Sequence, residues 1–408
     1  MKRSRAISAV GAATALLLGV CAAGPAWASP AAPPPIPTRQ VTTWAASDDM
    51  AGGTISDRTI RNIVHTSIGG AGLRIRLSNA KGTSTLRLDS VYLGVQKDGA
   101  ALVPGTNQRV EFGGGTTATI PPGATVLSDP LPGTVPAQQN LAVSIHVSGD
   151  SGPLTAHNRS MQHSFKSTSG DHAADEDGTE FLTETAAWVW LDALVVDAPK
   201  QTGTVAVLGD SITAGVGTTI DANRRWPDIL ADRFAALPPV RQMGVANEGI
   251  SGNRVLSGVS RPGGAGDAAL VRLTGDVLTK PGVETVLLFE GVNDIGAGAS
   301  AEEIIGGYRR LISQSHDAGV CIVAATVTPF GGSVYVDPEG ETVRQAVNDF
   351  IRNSDAFDDV VDFDAATRDP DRPDRLRPDF HDGDGLHPND AGNAAMAAAI
   401  DLDALRCG

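Results

Sequence analysis

Ser211 follows a predicted buried strand, at a position where a serine side chain can act as a nucleophile. Val205 to Leu208 form an apolar run rich in β-branched residues, which predicts a strand buried on both faces of a parallel sheet. Gly209 and Asp210 end this strand, and Ser211 falls in the tight turn before a helix. At such a turn the hydroxyl is exposed and backbone N–H groups point towards it. The position suits nucleophilic chemistry, although Gly-Asp-Ser also occurs as an ordinary turn with an N-capping serine.

Three later stretches give this serine a context. They read N-E-G-I-S-G-N-R at 247–254, G-V-N-D at 291–294 and D-G-L-H-P-N-D at 384–390. With the first stretch, and in this order, they resemble the four blocks of the GDSL/SGNH hydrolase family. The resemblance covers residues 205 to about 400. It departs from the family pattern at Ile212, where leucine is usual, and this change conserves volume.

The resemblance implies a set of site residues and an activity. It places the family's serine at Ser211, glycine at Gly252, asparagine at Asn293 and histidine at His387, with an aspartate at Asp384. Ser211 would then attack an ester carbonyl after His387 removes its proton, while Asp384 holds the histidine in the right tautomer. The oxyanion hole would consist of the backbone N–H groups of Ser211 and Gly252 and the Asn293 amide.

Neither a cofactor nor a metal is expected. The stretch G-D-S-I-T-A-G-V-G does not fit G-x-G-x-x-G, and the sequence contains no Walker-type phosphate loop and no H-E-x-x-H zinc pattern. His157, His163 and His172 have acidic neighbours, but their spacing fits no standard set of metal ligands. We therefore interpret these three histidines as loop residues.

The order of elements predicts two domains. At 41–198, short period-two stretches such as 73–78 and 141–147 predict an all-β sandwich, jelly-roll-like in arrangement. At 199–408, apolar strand runs alternate with helical stretches, which predicts an α/β domain with a parallel sheet. The resemblance implies that this second domain is a flavodoxin-like, three-layer SGNH hydrolase domain. The predicted strands lie at 205–208, 240–246, 284–289, 320–326 and 359–363, and the predicted helices at 222–236, 265–278, 301–318, 341–353 and 390–405.

The first forty residues indicate export. Three basic residues within the first five, an apolar run at 6–20 and the sequence Ala26-Trp27-Ala28 predict a signal peptide, residues 1–28, cleaved after Ala28. The apolar run is shorter than the ~20 residues of a membrane-spanning helix, so we expect no stable membrane anchor. Residues 29–40 are predicted to be a proline-rich linker. The protein is accordingly predicted to be secreted and extracellular.

Composition limits the partners. The chain has 408 residues, which is long enough for two domains with full hydrophobic cores. Its residues are 41% hydrophobic and 19% charged, which is typical of an ordinary globular protein. The net charge of −15 repels phosphate backbones, so nucleic acid is not an expected partner.

Cys321 and Cys407 remain after the signal peptide, and an even pair in an oxidising compartment favours a disulfide. Nothing in the sequence specifies an oligomeric state.

Three hypotheses concern the substrate. The first is a lipase or esterase acting on a small-molecule ester. The second is a polysaccharide acetyl or feruloyl esterase whose β-domain binds carbohydrate. The third, from another class, is a non-catalytic carbohydrate-binding protein. The carbohydrate contacts would be Trp188, Trp190, Tyr92 and the loop 160–165, whereas core packing explains the two tryptophans equally well. If the tryptophans are core residues, the β-domain is a structural cap that shapes the mouth of the site. Arg254, Thr328 and Phe330 are further candidates to line the substrate pocket.

Overall fold

The computed structural model describes residues 37–50, 52–335 and 338–407. The predicted signal peptide, its cleavage site after Ala28 and residues 29–36 of the predicted linker lie outside the described residues. Strand β1 (Thr38–Ala45) begins inside the range predicted as linker, because Thr38 pairs with Pro199 of strand β17 (Leu191–Pro199).

We call residues 38–199 the β-region, because its regular elements in the described part of the chain are strands. Between β1 and β17 these strands are β2 (Asp49–Met50), β3 (Arg58–His65), β4 (Gly70–Ser78), β5 (Leu86–Leu88), β6 (Ser90–Asp98), β7 (Ala101–Leu102), β8 (Gln108–Arg109), β9 (Ala118–Ile120), β10 (Thr125–Leu127), β11 (Thr134–Val135), β12 (Asn140–Val147), β13 (Thr155–Asn158), β14 (Ser164–Ser169), β15 (Phe181–Thr185) and β16 (Ala187–Val189).

Antiparallel pairing organises the β-region. A 5-stranded sheet has the order β1-β17-β4-β10 with β11 also on β4, and a 7-stranded sheet has the order β15-β14-β3-β12-β6-β7 with β8 on β6. Smaller sheets join β16-β13-β2 and β5-β9. Leu73 and Leu194 from the first sheet share one hydrophobic core with Ile60 and Val143 from the second. The region is therefore β-rich as predicted, and its jelly-roll arrangement stays a prediction.

We call residues 204–407 the α/β region. Its strands are β18 (Thr204–Gly209), β19 (Gly244–Gly249), β20 (Val283–Phe289), β21 (Cys321–Ala325) and β22 (Asp359–Val361). Its helices are α1 (Ser211–Ala214), α2 (Trp226–Ala235), α3 (Ala269–Arg272), α4 (Val292–Gly296), α5 (Ala301–Asp317), α6 (Pro338–Asn353), α7 (Phe363–Thr367) and α8 (Asp390–Ala399). Short 3-10 turns lie at Pro239–Arg241 and Pro378–Phe380, and a π-helical segment at Leu273–Leu278.

The sheet of the α/β region is parallel, with the strand order β19-β18-β20-β21-β22. Strand β18 is buried along its whole length and has a partner on each side, which explains its unbroken apolar run. The loops that follow β18, β19 and β20 leave the sheet at the same edge, where parallel sheets carry their functional groups. The three-layer arrangement implied by the resemblance stays a prediction.

Several elements begin or end away from their predicted positions. Helix α2 starts at Trp226 rather than at 222, because Asp221 and Asn223 adopt positive φ angles of 64° and 51° that a helix cannot contain. Strand β19 starts at Gly244, since the 3-10 turn Pro239–Arg241 takes up the first residues of the predicted strand. The helix predicted at 265–278 is a short α3 followed by the π-helical segment.

The C-terminal helix α8 ends at Ala399 rather than at 405. The chain beyond it reaches Cys407, which is joined by a disulfide to Cys321 at the start of β21. The two Cα atoms are 6.2 Å apart. The disulfide therefore holds the end of the chain against the parallel sheet.

The β-region packs directly on the α/β region. The Thr42 N–H in β1 donates to the carbonyl oxygen of Pro281 at 2.9 Å. Lys280 is 4% exposed; its Nζ lies 3.2 Å from Glu248 of β19 and 3.8 Å from Asp192 of β17. Separating the two regions would leave the buried ammonium group of Lys280 without one of its carboxylate partners, which costs free energy. The ion pairs of Lys280 therefore hold the regions together. Both belong to one compact unit, Pro37–Gly408.

Candidate active site

Ser211 is the first residue of α1, immediately beyond the end of β18. The Asp210 side chain accepts the Ile212 N–H at 2.9 Å and so caps the helix. Gly209 precedes them because a Cβ there would lie 2.1 Å from Thr213 Oγ1. The strand therefore ends in a turn that only glycine fits, and the turn fixes the position of the serine.

His387 reaches Ser211 from the loop before α8. Its Nε2 lies 2.9 Å from the serine Oγ, and its Nδ1 lies 2.6 Å from Asp384 Oδ2. Burial raises the pKa of Asp384, but N–H donors from Leu386 and His387 and the bond to the ring outweigh it, so the pKa is below its ordinary value. An ionised carboxylate can only accept. Nδ1 therefore carries the ring hydrogen, and Nε2 is left to accept from the serine hydroxyl.

The loop that carries this histidine is held from two sides. His381 Nδ1 accepts N–H groups from Gly383 at 3.0 Å and Gly385 at 3.3 Å, both within the loop. From the other side Gly217, at φ 100°, packs so closely that a Cβ would lie 2.8 Å from the Pro388 carbonyl oxygen. The D-x-x-H segment is thus braced by its own neighbours and by the loop after α1.

Two residues of the cavity wall, Ser211 and Gly252, carry backbone N–H groups without a protein partner in the described ranges. Gly252 follows β19 and has a φ of 80°, a conformation that favours glycine. Neither its N–H nor that of Ser211 donates a hydrogen bond to any residue in the described ranges. Both groups are thus available to a bound oxygen atom.

Asn293 lies in α4, directly after β20, and its amide is already engaged. Nδ2 donates to Asp210 Oδ2 at 3.2 Å and to the Asn253 carbonyl oxygen at 3.0 Å. Oδ1 accepts from the Tyr335 hydroxyl at 3.0 Å. The amide is therefore oriented from both ends, and its longer bond to Asp210 is the one that a ligand could replace most easily.

Arg272 ties the strand ends together beneath the site. Its guanidinium donates to the carbonyl oxygens of Gly209 at 3.0 Å and Glu248 at 2.7 Å, and to the Asn253 side chain at 2.9 Å. It also donates to Ser47 Oγ of the β-region at 3.0 Å. One buried cation therefore connects the loops that carry Ser211 and Gly252 with the β-region.

Buried carboxyl groups lie below the serine, and two of them, Asp210 and Glu290, interact with this arginine. Burial raises the pKa of Asp210 to about 7, with a further increase from Asp294 and an opposing effect of Arg272. Burial, together with the charge of Asp210, also raises the pKa of Glu290 well above its ordinary value. Asp294 accepts the backbone N–H groups of residues 255 and 256 at 2.8 and 3.0 Å. These carboxyls shape the loops below the serine.

The four predicted site residues Ser211, Gly252, Asn293 and His387 line one cavity of about 530 Å³. Asp384 supports it from behind His387. Part of the wall was not predicted from the sequence. It comes from the β-region, as Asp49, His157, Asn158 and Arg159, and from Tyr335. No motif marks these five residues. The four from the β-region reach the cavity only because the two regions pack together, and Tyr335 comes from the α/β region itself.

The other predicted contacts have mixed outcomes. Arg254 lines the cavity, whereas Thr328 and Phe330 are each 1% exposed and lie outside its wall. Trp188 and Trp190 are 2% and 0% exposed, which agrees with the core-packing alternative and excludes them as carbohydrate contacts. The reason is core packing, as in the edge contact of the Trp188 ring with Trp44 at 4.9 Å.

The three histidines considered as metal ligands lie in separate places. His163 and His172 lie in loops as predicted, where they bond to Asp221 at 2.6 Å and to Asp175 at 2.8 Å. His157 lies in strand β13 and in the cavity wall, so its prediction as a loop residue is wrong. Within residues 37–50, 52–335 and 338–407, no group of three or more His, Cys, Asp or Glu side chains is arranged to hold a metal ion. Over the same ranges, no helix has the length and apolar character needed to cross a bilayer.

Comparison with solved structures returns proteins similar to about half of this chain. A lipolytic protein of the G-D-S-L family from Desulfitobacterium hafniense DCB-2 is 17% identical, covering 50% of this chain and 99% of its own, with a TM-score of 0.38. The acetyl xylan esterase AlAXEase is 22% identical, covering 48% and 96%, with a TM-score of 0.37. Est24, a carbohydrate acetylesterase from Sinorhizobium meliloti, is 18% identical, covering 49% and 97%, with a TM-score of 0.38. Comparison with curated proteins returned no match.

The assignment rests on a family model. Residues 207–395 match the model described as the GDSL-like Lipase/Acylhydrolase family, which agrees with the resemblance inferred from the four sequence blocks. The matched range runs from within β18 to within α8 and so contains every residue predicted for the catalytic triad and the oxyanion hole. The hypothesis of a non-catalytic carbohydrate-binding protein is thereby set aside. The α/β region is a GDSL-like lipase/acylhydrolase domain, and the protein is a carboxylic ester hydrolase.

Proposed function

We propose that the protein hydrolyses carboxylic esters through an acyl intermediate on Ser211. The observation that carries this proposal is the continuous path from Ser211 Oγ to His387 at 2.9 Å and from His387 to Asp384 at 2.6 Å. His387 removes the hydroxyl proton as Ser211 attacks the carbonyl carbon, and then gives that proton to the leaving alcohol. Asp384 stabilises the imidazolium formed in between. A water molecule, activated by the same histidine, releases the acid.

The negative charge on the carbonyl oxygen needs donors. The free backbone N–H groups of Ser211 and Gly252 supply two of them. Asn293 supplies the third by exchanging its 3.2 Å bond to Asp210 for a bond to the oxyanion. Hydrogen bonds of resting active sites are often long and shorten only when substrate is bound. Each donor of this kind contributes about 3 kcal/mol to stabilisation of the transition state.

The cavity favours a short acyl group on a polar alcohol. Its wall consists mainly of polar and small residues, and its larger aliphatic side chains are Ile250 and Leu386. A long acyl chain needs a continuous apolar surface to recover hydrophobic free energy, about 0.8 kcal/mol per buried methylene. This observation favours the second hypothesis, removal of small acyl groups such as acetyl from carbohydrate, over a lipase.

The test compares Ser211→Ala with the wild type on p-nitrophenyl acetate. We expect kcat to fall by about 10⁴-fold or more in Ser211→Ala and in His387→Ala. The matched control is Ser354→Ala, a serine beyond the end of α6 and outside the cavity. A Ser211→Ala protein that keeps the wild-type rate contradicts the mechanism. A rate that rises from acetate to octanoate esters contradicts the preference for short acyl groups.

We also propose that the protein is secreted, from the signal-peptide features of residues 1–28. The Cys321–Cys407 disulfide supports this proposal, because disulfides persist mainly in oxidising compartments. N-terminal sequencing of protein recovered from culture medium should begin at Ser29. Retention of the full-length chain inside cells contradicts it.

A further inference from the structure

His157 is a residue of the β-region that lines the cavity, and its hydrogen bonds determine which ring nitrogen carries the hydrogen. It lies in β13, the central strand of the small sheet β16-β13-β2, and its ring packs on Trp188 with centroids 5.3 Å apart. The residue is only 3% exposed, yet it lines the cavity that contains Ser211. Strand pairing on both sides and the tryptophan ring hold it in one orientation.

The hydrogen bonds of this ring fix its tautomer. Nδ1 lies 3.0 Å from the carbonyl oxygen of Ser47, which can only accept, so Nδ1 carries the hydrogen. Burial lowers the pKa of His157 to about 4, which keeps the ring neutral at ordinary pH. Nε2 therefore presents a lone pair, and it has no hydrogen-bond partner in the part of the chain that the structure describes.

A polar side chain that is almost fully buried normally has its polar atoms paired. Here Nδ1 is paired with the protein and the residue lines the cavity. A ligand or water in the cavity is therefore the group that can pair with Nε2. The missing group must be a donor, because a neutral Nε2 without hydrogen can only accept. An alkyl ester offers no such donor, whereas a hydroxyl group does.

We propose that His157 is a specificity residue that accepts a hydrogen bond from a hydroxyl group on the alcohol part of the substrate, so that the site prefers esters of polyols to esters of simple alkanols. This inference rests on the proposed function of Ser211 and adds a role for the β-region. In this proposal the β-region contributes a residue that recognises the substrate.

The experiment measures kcat/KM by pH-stat titration for glycerol monoacetate and propyl acetate, which carry the same acetyl group on alcohols with and without free hydroxyls. The readout is the ratio of the two values. In His157→Asn the side-chain amide can still donate to the Ser47 carbonyl oxygen but does not reach the position of Nε2. We expect the ratio to fall by roughly 3- to 10-fold, the effect of one neutral hydrogen bond, through a higher KM for glycerol monoacetate.

Two further variants separate recognition from structure. His157→Gln places an amide oxygen near the position of Nε2 and should restore most of the wild-type ratio. His172→Asn alters a histidine of the same region outside the cavity and should leave the ratio unchanged. An equal loss for both esters in His157→Asn, or an unchanged ratio, overturns this inference alone. Failure of the wild-type protein to hydrolyse either ester overturns the proposed function and this inference with it.

Discussion

Replacing Gly217 with alanine should lower kcat by roughly 100-fold without unfolding the protein. Gly217 has a φ of 100°, and a Cβ at this position would lie 2.8 Å from the Pro388 carbonyl oxygen and 3.3 Å from the His387 Cβ. The backbone conformation alone costs a non-glycine residue about 1–3 kcal/mol. The contact below 3.0 Å must be relieved by movement of the segment that carries the histidine. A shift of about 1 Å at a reacting group reduces the rate by roughly 100-fold.

The assay compares kcat for p-nitrophenyl acetate with the midpoint of thermal unfolding. Gly319→Ala is the matched control, because Gly319 has a φ of 70° and its Cβ would meet no atom within 4 Å. Both variants should lose a similar amount of stability from backbone strain, but only Gly217→Ala should lose kcat. Equal kcat values in the two variants refute the idea that Gly217 positions His387.

Three other predictions concern stability and the oxyanion. Burial and the charge of Asp192 raise the pKa of Asp48 from 3.8 to about 7, so its stabilising contribution is present below about pH 4 and is lost as the pH rises through 7. Asp48→Asn should therefore flatten the fall in the free energy of unfolding between pH 4 and 8, measured in urea, and an unchanged slope speaks against it. Replacing Cys321 and Cys407 with serine opens a link across 86 residues and should lower the free energy of unfolding by about 4 kcal/mol. An unchanged urea midpoint counts against that estimate. Asn293→Ala should lower kcat by about 100- to 1000-fold with little change in KM, and a kcat within a few-fold of wild type removes the amide from the oxyanion hole.

Unbroken apolar runs that alternate with helical stretches predicted the parallel sheet. The runs are unbroken because β18 and β20 are buried along most of their length. The sequence also predicted that Ser211, Gly252 and Asn293 each follow a strand of that sheet, and the structure places all three after its strands. Element ends were harder to predict. The helix expected to start at 222 depends on the φ of Asp221, which is set by contacts of the folded chain.

The wall from the β-region could not be predicted, for a physical reason. His157 and Arg159 carry no motif, and they reach the cavity only because one region packs on the other. The bonds of Asn293 are a similar case. Its partner Tyr335 lies 42 positions away in the sequence, and no local pattern links the two.

The central claim is that one hydroxyl, activated by one imidazole, forms the acyl intermediate. Mass spectrometry of peptides from protein treated with a fluorophosphonate tests it most directly. The account predicts a single adduct on Ser211, no adduct in Ser211→Ala, and labelling that is slower by orders of magnitude in His387→Ala. An adduct on another residue, or equally fast labelling of Ser211 without the imidazole of His387, would contradict it.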